Sequence, residues 1–433
     1  MTVVLVIACF TCLAMITSIL VKPEIKIKRL SIGLYWLIAL FGAIMLLAFG
    51  KLSFGEVWAG LTQNTSVNPL KILVLFISIT FISVFLDEIG FFAFLAGELL
   101  KKASASKKRL FFSLYFIVAF LTIFTSNDII VLTFTPFICH FCKNAKISPI
   151  PFLVAEFVAA NTWSMFLIIG NPTNIYLATS TGLDFFGYIK VMALPTVFAG
   201  VSSLLVLLLL FNKQLSQPIQ PQILPPVQMN KTLVIIGVVH LLLCTVMLAI
   251  SAYIGLEMWY ICLAFVGSLA ICVLIYKLVK KQKPVELWHS TKRAPWSLVP
   301  FVISMFVIVL ALDKFGVTTM LGKLLNGNDN ILTYGASSVL MANMINNIPM
   351  SVFYSSVITT MPCNISGVFA TIIGSNIGAF LSPVGALAGI MWSGILKRHN
   401  VRFSFLNFVL YGLVIVLPTL FASLGGLYLS LLF

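Results

Sequence analysis

Long apolar stretches make up most of the chain, and short polar segments separate them. A membrane-spanning helix needs about 20 consecutive, mainly apolar residues. Stretches of this kind cover 2–21, 30–50, 70–86, 110–125, 151–169, 191–211, 232–250, 258–276, 296–312, 331–345, 386–396 and 404–425. The pattern predicts an all-α polytopic membrane protein with roughly 10–12 transmembrane segments, some of them short or broken.

One longer polar segment divides the apolar pattern. Residues 212–231 are rich in Pro and Gln and lack a helical period, which is typical of a linker. The sequence therefore predicts a first membrane repeat over 1–211, a cytoplasmic linker over 212–231 and a second membrane repeat over 232–433.

Short motifs recur in the same order on both sides of this linker. The run LDEIG begins at Leu86, and LDKFG begins at Leu312. Two more matches pair Asn127 with Asn346, and Asn161 with Asn376. Three ordered matches indicate an internal repeat.

The basic residues indicate that the second repeat is inverted. Loop 101–109 holds five basic residues and its counterpart 313–330 holds two, whereas loop 277–293 holds six and its counterpart 51–69 holds one. Basic loops face the cytoplasm, so the alternation places the linker inside and both termini outside. Inverted repeats are typical of secondary transporters, which bind their solute near the bilayer midplane.

The composition narrows the function further. Apolar residues make up 60% of the chain and charged residues only 9%, which excludes a soluble enzyme, a nucleic-acid-binding domain and a disordered chain despite the net charge of +15. The eight cysteines are scattered through apolar segments and do not suggest a disulfide framework. Walker, GxSxG and HExxH motifs are absent from the sequence, so we expect no enzyme activity, no cofactor and no metal centre.

Candidate chemistry lies in four segments where Asn, Ser, Gly or Pro interrupt the apolar pattern. They are 124–136, 160–174, 344–352 and 374–385. Non-helical backbone at membrane depth is tolerated only where it lines a cavity or is buried in protein, so we expect two re-entrant hairpins and two interrupted helices that meet at the midplane. The alternative is that these residues only kink and pack the helices. The candidate substrate-binding residues are Asn127, Asn161, Thr162, Asn171, Thr173, Asn174, Asn346, Asn347, Ser375 and Asn376.

Two acidic residues are candidates for coupling transport to a proton or a cation. Asp128 lies within the first broken segment, where a carboxylate at membrane depth is by default a functional group. Glu156 precedes Asn161 by five residues and lies either at the same cavity or nearer an interface. Cys139 and Cys142 are most simply apolar core residues, with a weaker reading as thiol contacts for a soft metalloid.

The ordered motifs resemble those of the arsenical pump membrane proteins, which are bacterial arsenite and antimonite efflux permeases of the ion transporter superfamily. These motifs are LDEIGFF, FTSNDIIVLTFTPF, NPTN, RAPW, NNIPMSV and SNIGAFLSPVGALAGIMW. The resemblance implies a bacterial cytoplasmic membrane protein that exports trivalent arsenic or antimony hydroxide, driven by the proton motive force. It also implies a soluble ATPase partner in some members and a homodimer. By matching motifs, the family's substrate region includes Asp128 together with the asparagines named above.

This sequence departs from the arsenite permeases at two matching positions, where Asn161 and Asn376 replace aspartates. The change moves the sequence toward sodium-coupled carboxylate carriers of the same superfamily. A sodium- or proton-coupled anion carrier and a sodium/proton antiporter therefore remain alternatives. A channel and a membrane enzyme are further alternatives, although the paired half-sites do not favour a channel and no catalytic constellation favours an enzyme.

Overall fold

The computed structural model describes residues 1–21, 24–27, 30–63, 68–103, 106–216, 229–325, 330–360 and 365–432. Within these ranges the chain is almost entirely helical, which confirms the expected fold class. The first half contains α1 (Thr2–Val21), β1 (Glu24–Ile27), β2 (Leu30–Gly33), α2 (Leu34–Ala48), α3 (Phe54–Thr62), α4 (Pro69–Glu88), α5 (Phe91–Ala103), α6 (Lys107–Phe124), α7 (Asn127–Asn144), α8 (Ile150–Trp163), α9 (Pro172–Ser180) and α10 (Phe185–Leu215). The second half contains α11 (Lys231–Ala249), α12 (Met258–Val279), α13 (Val285–Arg293), α14 (Leu298–Lys314), α15 (Val317–Leu325), α16 (Asn330–Ile345), α17 (Asn347–Thr360), α18 (Ile365–Gly378), α19 (Leu387–Arg398) and α20 (Phe405–Ser430).

Apolar length determines which helices span the membrane, and polar caps mark where several of them begin. Seven described helical segments are long and apolar enough to cross a bilayer. Asn68 caps α4 by accepting hydrogen bonds from the backbone N–H groups of Leu70 and Lys71, and Pro69 occupies the first turn, where no N–H is needed. Helices α8 and α18 are apolar but only 14 residues long, too short to span alone.

The ten α-helices described in the first half recur in order among those described in the second half, so that each helix matches the one ten places later. Helices α3 and α13 both have nine residues, and α8 and α18 both have 14. The contacts between helices show the same correspondence between the halves. Helix α2 packs on α14 as α4 packs on α12, helix α7 packs on α19 as α17 packs on α9, and α10 packs on α20. Each contact between a helix of the first half and one of the second half thus has a counterpart with the two halves interchanged, as expected for repeats related by a two-fold axis.

Two local features differ from the sequence-based prediction. The span predicted from residue 30 is helical only from Leu34, because Glu24–Ile27 and Leu30–Gly33 pair as a short antiparallel hairpin. Its alternating polar and apolar residues have the period of a strand. The predicted linker is also shorter at its start, since α10 continues to Leu215. Residues 217–228 of that linker lie outside the described residues.

Glycine allows close packing where the second hairpin meets the interrupted helix α18. Gly374 on α18 faces α16, and a Cβ atom there would overlap the Ser338 hydroxyl and the Gly335 carbonyl oxygen. This approach brings α16 and α18 together beside the broken segment 379–386.

Candidate functional site

The turns of both hairpins are polar. In the first hairpin, Ser126 caps α7, and its hydroxyl accepts a hydrogen bond from the backbone N–H of Asp128 at 3.4 Å. In the second hairpin, Asn346 joins α16 to α17 with φ of 74°, a left-handed conformation that Asn adopts more readily than most residues. Its side-chain amide donates to the Val384 carbonyl at 2.9 Å, which ties the turn to the second interrupted helix.

Both interrupted helices contact a hairpin turn through hydrogen bonds. Helix α8 ends at Trp163, and α9 begins at Pro172 with Asn171 as its cap, accepting from the Thr173 N–H at 3.2 Å. Gly170 lies in this break, where a Cβ atom would overlap the Ser164 carbonyl oxygen. In the second half, the Asn347 N–H donates to the Gly385 carbonyl at 3.0 Å, so the α17 start contacts the break after α18.

Asn376 joins the two halves at the centre of the site. Its Oδ1 accepts from Ser164 Oγ and from Asn171 Nδ2, both at 2.9 Å. Its Nδ2 donates to Asn174 Oδ1 at 2.7 Å and to the Ile372 carbonyl, four residues earlier on α18, at 2.8 Å. One side chain from the second half therefore binds three residues of the first half.

Asn161 is the repeat-related counterpart of Asn376, but it stays within its own half. Its Nδ2 donates to the Phe157 carbonyl at 2.8 Å, also four residues earlier on its helix. Its Oδ1 accepts from Asn127 Nδ2 at 3.0 Å, which connects α8 to the first hairpin turn. Each amide thus donates to the carbonyl four residues earlier on its own helix, and the other hydrogen-bond partners of the two amides differ.

Four buried oxygen atoms in the broken segments have no hydrogen-bond partner among the described residues. They are the hydroxyls of Thr162, Thr173 and Ser375 and the Oδ1 of Asn347. Buried polar atoms are nearly always paired in folded proteins. Several exceptions within one set of broken helices indicate a place for a polar solute or water.

The two acidic candidates lie in different surroundings. Asp128 is half-buried in the first turn of α7, and no described residue donates a hydrogen bond to its carboxylate. Glu156 is wholly buried, and both of its oxygens lie 3.2 Å from the Thr135 hydroxyl on α7. Neither carboxylate hydrogen-bonds to the amide network.

The structure brings most predicted residues together and adds two that the sequence-based prediction missed. Ser164 binds Asn376, as described above, and Asn343 donates to the Gly378 carbonyl at 2.9 Å while accepting from Ser382 Oγ at 2.6 Å. Both lie within a few residues of a predicted asparagine. Their closeness in sequence to Asn161 and Asn346 was the one signal that could have identified them. A single Ser or Asn on an apolar helix is too common to predict a site.

Ion pairs join the halves away from the site, and they mirror each other with opposite charges. Lys314 at the end of α14 lies 2.6 Å from Glu56 on α3, whereas Arg293 on α13 pairs with Asp87 and Glu88 at the end of α4. The hydrogen bond from Lys314 holds the pKa of Glu56 at about 2, far below its usual value.

Two cavities among the described residues are lined by repeat-related helices and differ in size. The cavity beside Asn346 and Tyr35 has a volume of about 10 Å³, roughly one water molecule. A cavity of about 410 Å³ lies between the starts of α4 and α12, with Lys71, Ser251 and Glu257 in its wall. Lys71 and Glu257 form an ion pair at 2.7 Å, whose hydrogen bond lowers the pKa of Glu257.

Known proteins resemble this chain in both sequence and structure. The sequence profile of CitMHS, the citrate transporter family, matches residues 33–372. The arsenical pump membrane protein of Escherichia coli (strain K12) is 28% identical over 428 residues, covering 93% of this chain and 95% of the relative. A putative arsenical pump membrane protein of Bacillus subtilis (strain 168) is 26% identical over 426 residues, covering 90% and 93%.

Two solved structures share the fold at low sequence identity. The Alcanivorax borkumensis YdaH transporter aligns with a TM-score of 0.56 at 12% identity, covering 99% of this chain and 98% of that one. Neisseria gonorrhoeae MtrF, described as illuminating a class of antimetabolite efflux pumps, aligns with a TM-score of 0.52 at 12% identity, covering 98% and 94%. The architecture is thus that of known membrane transporters.

Proposed function

We propose that this chain, which belongs to the CitMHS citrate transporter family, is a secondary active transporter that exports arsenite or antimonite and is coupled to the proton motive force. The chain is a multi-pass transporter of the bacterial cell membrane. Its relatives named as arsenical pumps cover nearly its whole length, which supports the choice of solute.

The chemistry of the amide site supports a small neutral solute. Arsenite and antimonite are largely uncharged trihydroxides at neutral pH, and each hydroxyl can both donate and accept a hydrogen bond. The unpaired oxygens of Thr162, Thr173, Ser375 and Asn347 are the single observation that carries this proposal, because they offer hydrogen-bond partners without a formal charge. In place of the acids found in other permeases, the amides of Asn161 and Asn376 would position the neighbouring polar groups that bind such a solute.

Helix ends reinforce the site. The starts of α7, α9, α17 and α19 lie at the broken segments, and the backbone N–H groups in the first turn of each helix give that end a partial positive charge. These groups favour the oxygen atoms of a hydroxide solute and stabilise any that loses a proton. We therefore assign substrate binding to both halves of the repeat rather than to one.

Asp128 is the proposed coupling group. It starts α7 next to Asn127 in the hairpin turn, and no described residue compensates its charge. A carboxylate in such a place can take up a proton on one side of the membrane and release it on the other. Glu156 is the second proposed proton carrier, reached through α7 by way of Thr135.

A carboxylate carrier is the second candidate, and the family's citrate description favours it. The amides at 161 and 376 also fit a site for a carboxylate and a cation. The charges oppose it, since the predicted site contains two acidic residues, Asp128 and Glu156, and no basic one. A multiply charged anion such as citrate would lack a counter-charge in this site.

We also propose two protein partners for this chain. The resemblance of the motifs to those of the arsenical pump membrane proteins implies a soluble ATPase subunit on the cytoplasmic face and a homodimer. Co-purification of an ATPase, and the mass of the detergent-solubilised protein, test these two assignments separately from transport.

Solute competition tests the proposed function directly. Proteoliposomes with an imposed pH or sodium gradient are loaded in turn with arsenite, citrate, succinate or sodium, and movement of each is followed. Arsenite movement that depends on the protein, and that antimonite inhibits, supports the proposal. Movement of a carboxylate or sodium with no protein-dependent arsenite movement replaces it with the second candidate or with an antiporter.

A further inference from the structure

Two cysteines that the proposed transport site does not use lie against each other in the membrane region. Cys244 on α11 and Cys262 on α12 have their sulfur atoms 3.9 Å apart, and both side chains are fully buried. Both are free thiols, so the pair is a dithiol held between two adjacent helices. The sequence pattern did not indicate this pair, because its members are 18 residues apart and belong to different helices.

The dithiol lies close to the large cavity between α4 and α12. Met258 lines that cavity one helical turn before Cys262 on α12, and Ser251 lines it seven residues after Cys244, just beyond the end of α11. Residues spaced by one turn share a helix face, so Cys262 lies on the α12 face that leads to the cavity. Leu248 lies one turn after Cys244 on α11 and is fully buried as well.

We propose that Cys244 and Cys262 form a second binding site, specific for trivalent arsenic or antimony and separate from the amide site. Thiolate bonds to metals are about 2.3 Å long, so two sulfurs bound to one centre lie roughly 3.4–3.8 Å apart for bond angles of about 95–110°. The observed separation of 3.9 Å needs only a small adjustment. Soft sulfur ligands prefer soft centres, and arsenic and antimony in the trivalent state are soft.

The binding step balances without an oxidant or reductant. Arsenous acid, As(OH)₃, reacts with the two thiols to give a bridged As(OH) group and two molecules of water. Two As–O and two S–H bonds break, two As–S and two O–H bonds form, and arsenic stays trivalent. The thiol protons leave with the two displaced hydroxides.

The ligand count explains why the site would select a metalloid over a metal ion. Across the described residues, no group of three or more His, Cys, Asp or Glu side chains is placed to hold a metal ion. Zinc in structural sites takes four protein ligands, which this pair does not supply. Trivalent arsenic is satisfied by two thiols and one hydroxide, so two cysteines suffice.

An organoarsenical that bridges two thiols tests the site. A full-length variant keeps Cys244 and Cys262 and carries Ala at the six other cysteines. The purified, phosphine-reduced protein is incubated with phenylarsine oxide, and intact-mass spectrometry counts the arsenic retained after excess reagent is removed. We expect one bridging arsenical per chain that survives a monothiol wash and is released by a dithiol.

Matched single variants provide the control. Adding Cys244→Ala or Cys262→Ala to this background should lower the retained arsenical at least tenfold, with helical circular dichroism and monodisperse elution unchanged. Equal retention in either variant overturns the proposal, as does no retention by the pair when denatured protein shows both thiols free. If the background fails to fold, C244A/C262A in the otherwise native chain should retain one arsenical fewer than wild type, and an unchanged count overturns the proposal.

Discussion

At the scale of single residues, Asn376 and Asn161 occupy repeat-related positions but bind different partners. Asparagine at membrane depth is costly unless it is paired, so its repeated appearance in broken segments was informative. The sequence contains no signal that Asn376 would contact Ser164, Asn171 and Asn174 while Asn161 stays with Asn127. That choice depends on the relative placement of the halves, which residue spacing does not encode.

The amide contacts predict unequal effects of two equivalent substitutions. Asn376→Ala removes hydrogen bonds to three residues of the first half, whereas Asn161→Ala removes one side-chain partner. We expect N376A to raise the KM for arsenite roughly tenfold, because the site residues Ser164, Asn171 and Asn174 lose buried hydrogen bonds of about 1–1.5 kcal/mol each and are no longer held in place, and N161A to raise it less. Flux measurements in proteoliposomes give both values.

The control is Asn212→Ala, an exposed asparagine near the end of α10. Its KM should match wild type at equal protein insertion. Wild-type KM in N376A as well would move the solute site away from the amide network.

The role of Asp128 in coupling can be tested against Glu56, an acidic residue that stays ionised because of its ion pair with Lys314. We expect Asp128→Asn to abolish the dependence of transport on the pH gradient, because the amide cannot exchange a proton. The matched variant is Glu56→Gln. A lowered carboxyl pKa keeps Glu56 ionised above pH values of about 2, so its pairing with Lys314 is lost only in strong acid, well below transport conditions.

The pH profile of E56Q should therefore match wild type between pH 6 and 8, within roughly a twofold change in rate. Initial rates at stepped external pH, at a fixed internal pH, provide the comparison. A D128N profile that overlays wild type would make Asp128 a structural residue.

At the scale of helices, the sequence located the broken elements and misjudged some of their ends. Apolar runs interrupted by Asn, Gly and Pro correctly predicted hairpins and interrupted helices, because lipid tolerates open backbone only when protein shields it. The apolar pattern predicted no break before Leu34, where the short hairpin of β1 and β2 ends. Hydropathy over a long window does not resolve a four-residue strand.

Close packing of the interrupted helix on the second hairpin gives a stability prediction. Gly374→Ala on α18 places a methyl group into Ser338 and the Gly335 carbonyl, so we expect a loss of about 1–3 kcal/mol in the free energy of unfolding. Gly394→Ala on α19 meets no atom within 4 Å, and we expect no loss there. Thermal unfolding in one detergent compares the two variants, and equal midpoints would contradict the packing of α16 on α18.

At the scale of the whole molecule, the repeat could be read from the sequence because three motifs recur in order and the loop charges alternate. The ion pairs that join the two halves could not be predicted from the shared motifs. Glu56 with Lys314, and Arg293 with Asp87, occupy equivalent places with opposite charges, so no motif is shared between them. The two cavities lined by repeat-related helices have volumes of about 10 and 410 Å³. No sequence pattern predicts this difference in size.

Inversion of the second repeat predicts which exposed positions share a side of the membrane. Single cysteines replacing Lys108 and Lys281 should react only with reagent supplied from the cytoplasmic side. Cysteines replacing Trp58 and Tyr253 should react only from outside. An impermeant maleimide on whole cells and on everted vesicles, in a background without the native cysteines, gives the four answers. Lys108 and Lys281 on opposite sides would rule out an inverted repeat.

Concentrative transport is the most direct measurement of the central claim, that amides from both halves move a neutral hydroxide coupled to protons. Everted vesicles containing the protein are acidified inside, and internal arsenite is measured over time. Accumulation above the external concentration, abolished by a protonophore and by Asp128→Asn but kept in Glu56→Gln, is the expected result. Arsenite that stays equal inside and outside, whether or not a pH gradient is imposed, would contradict it.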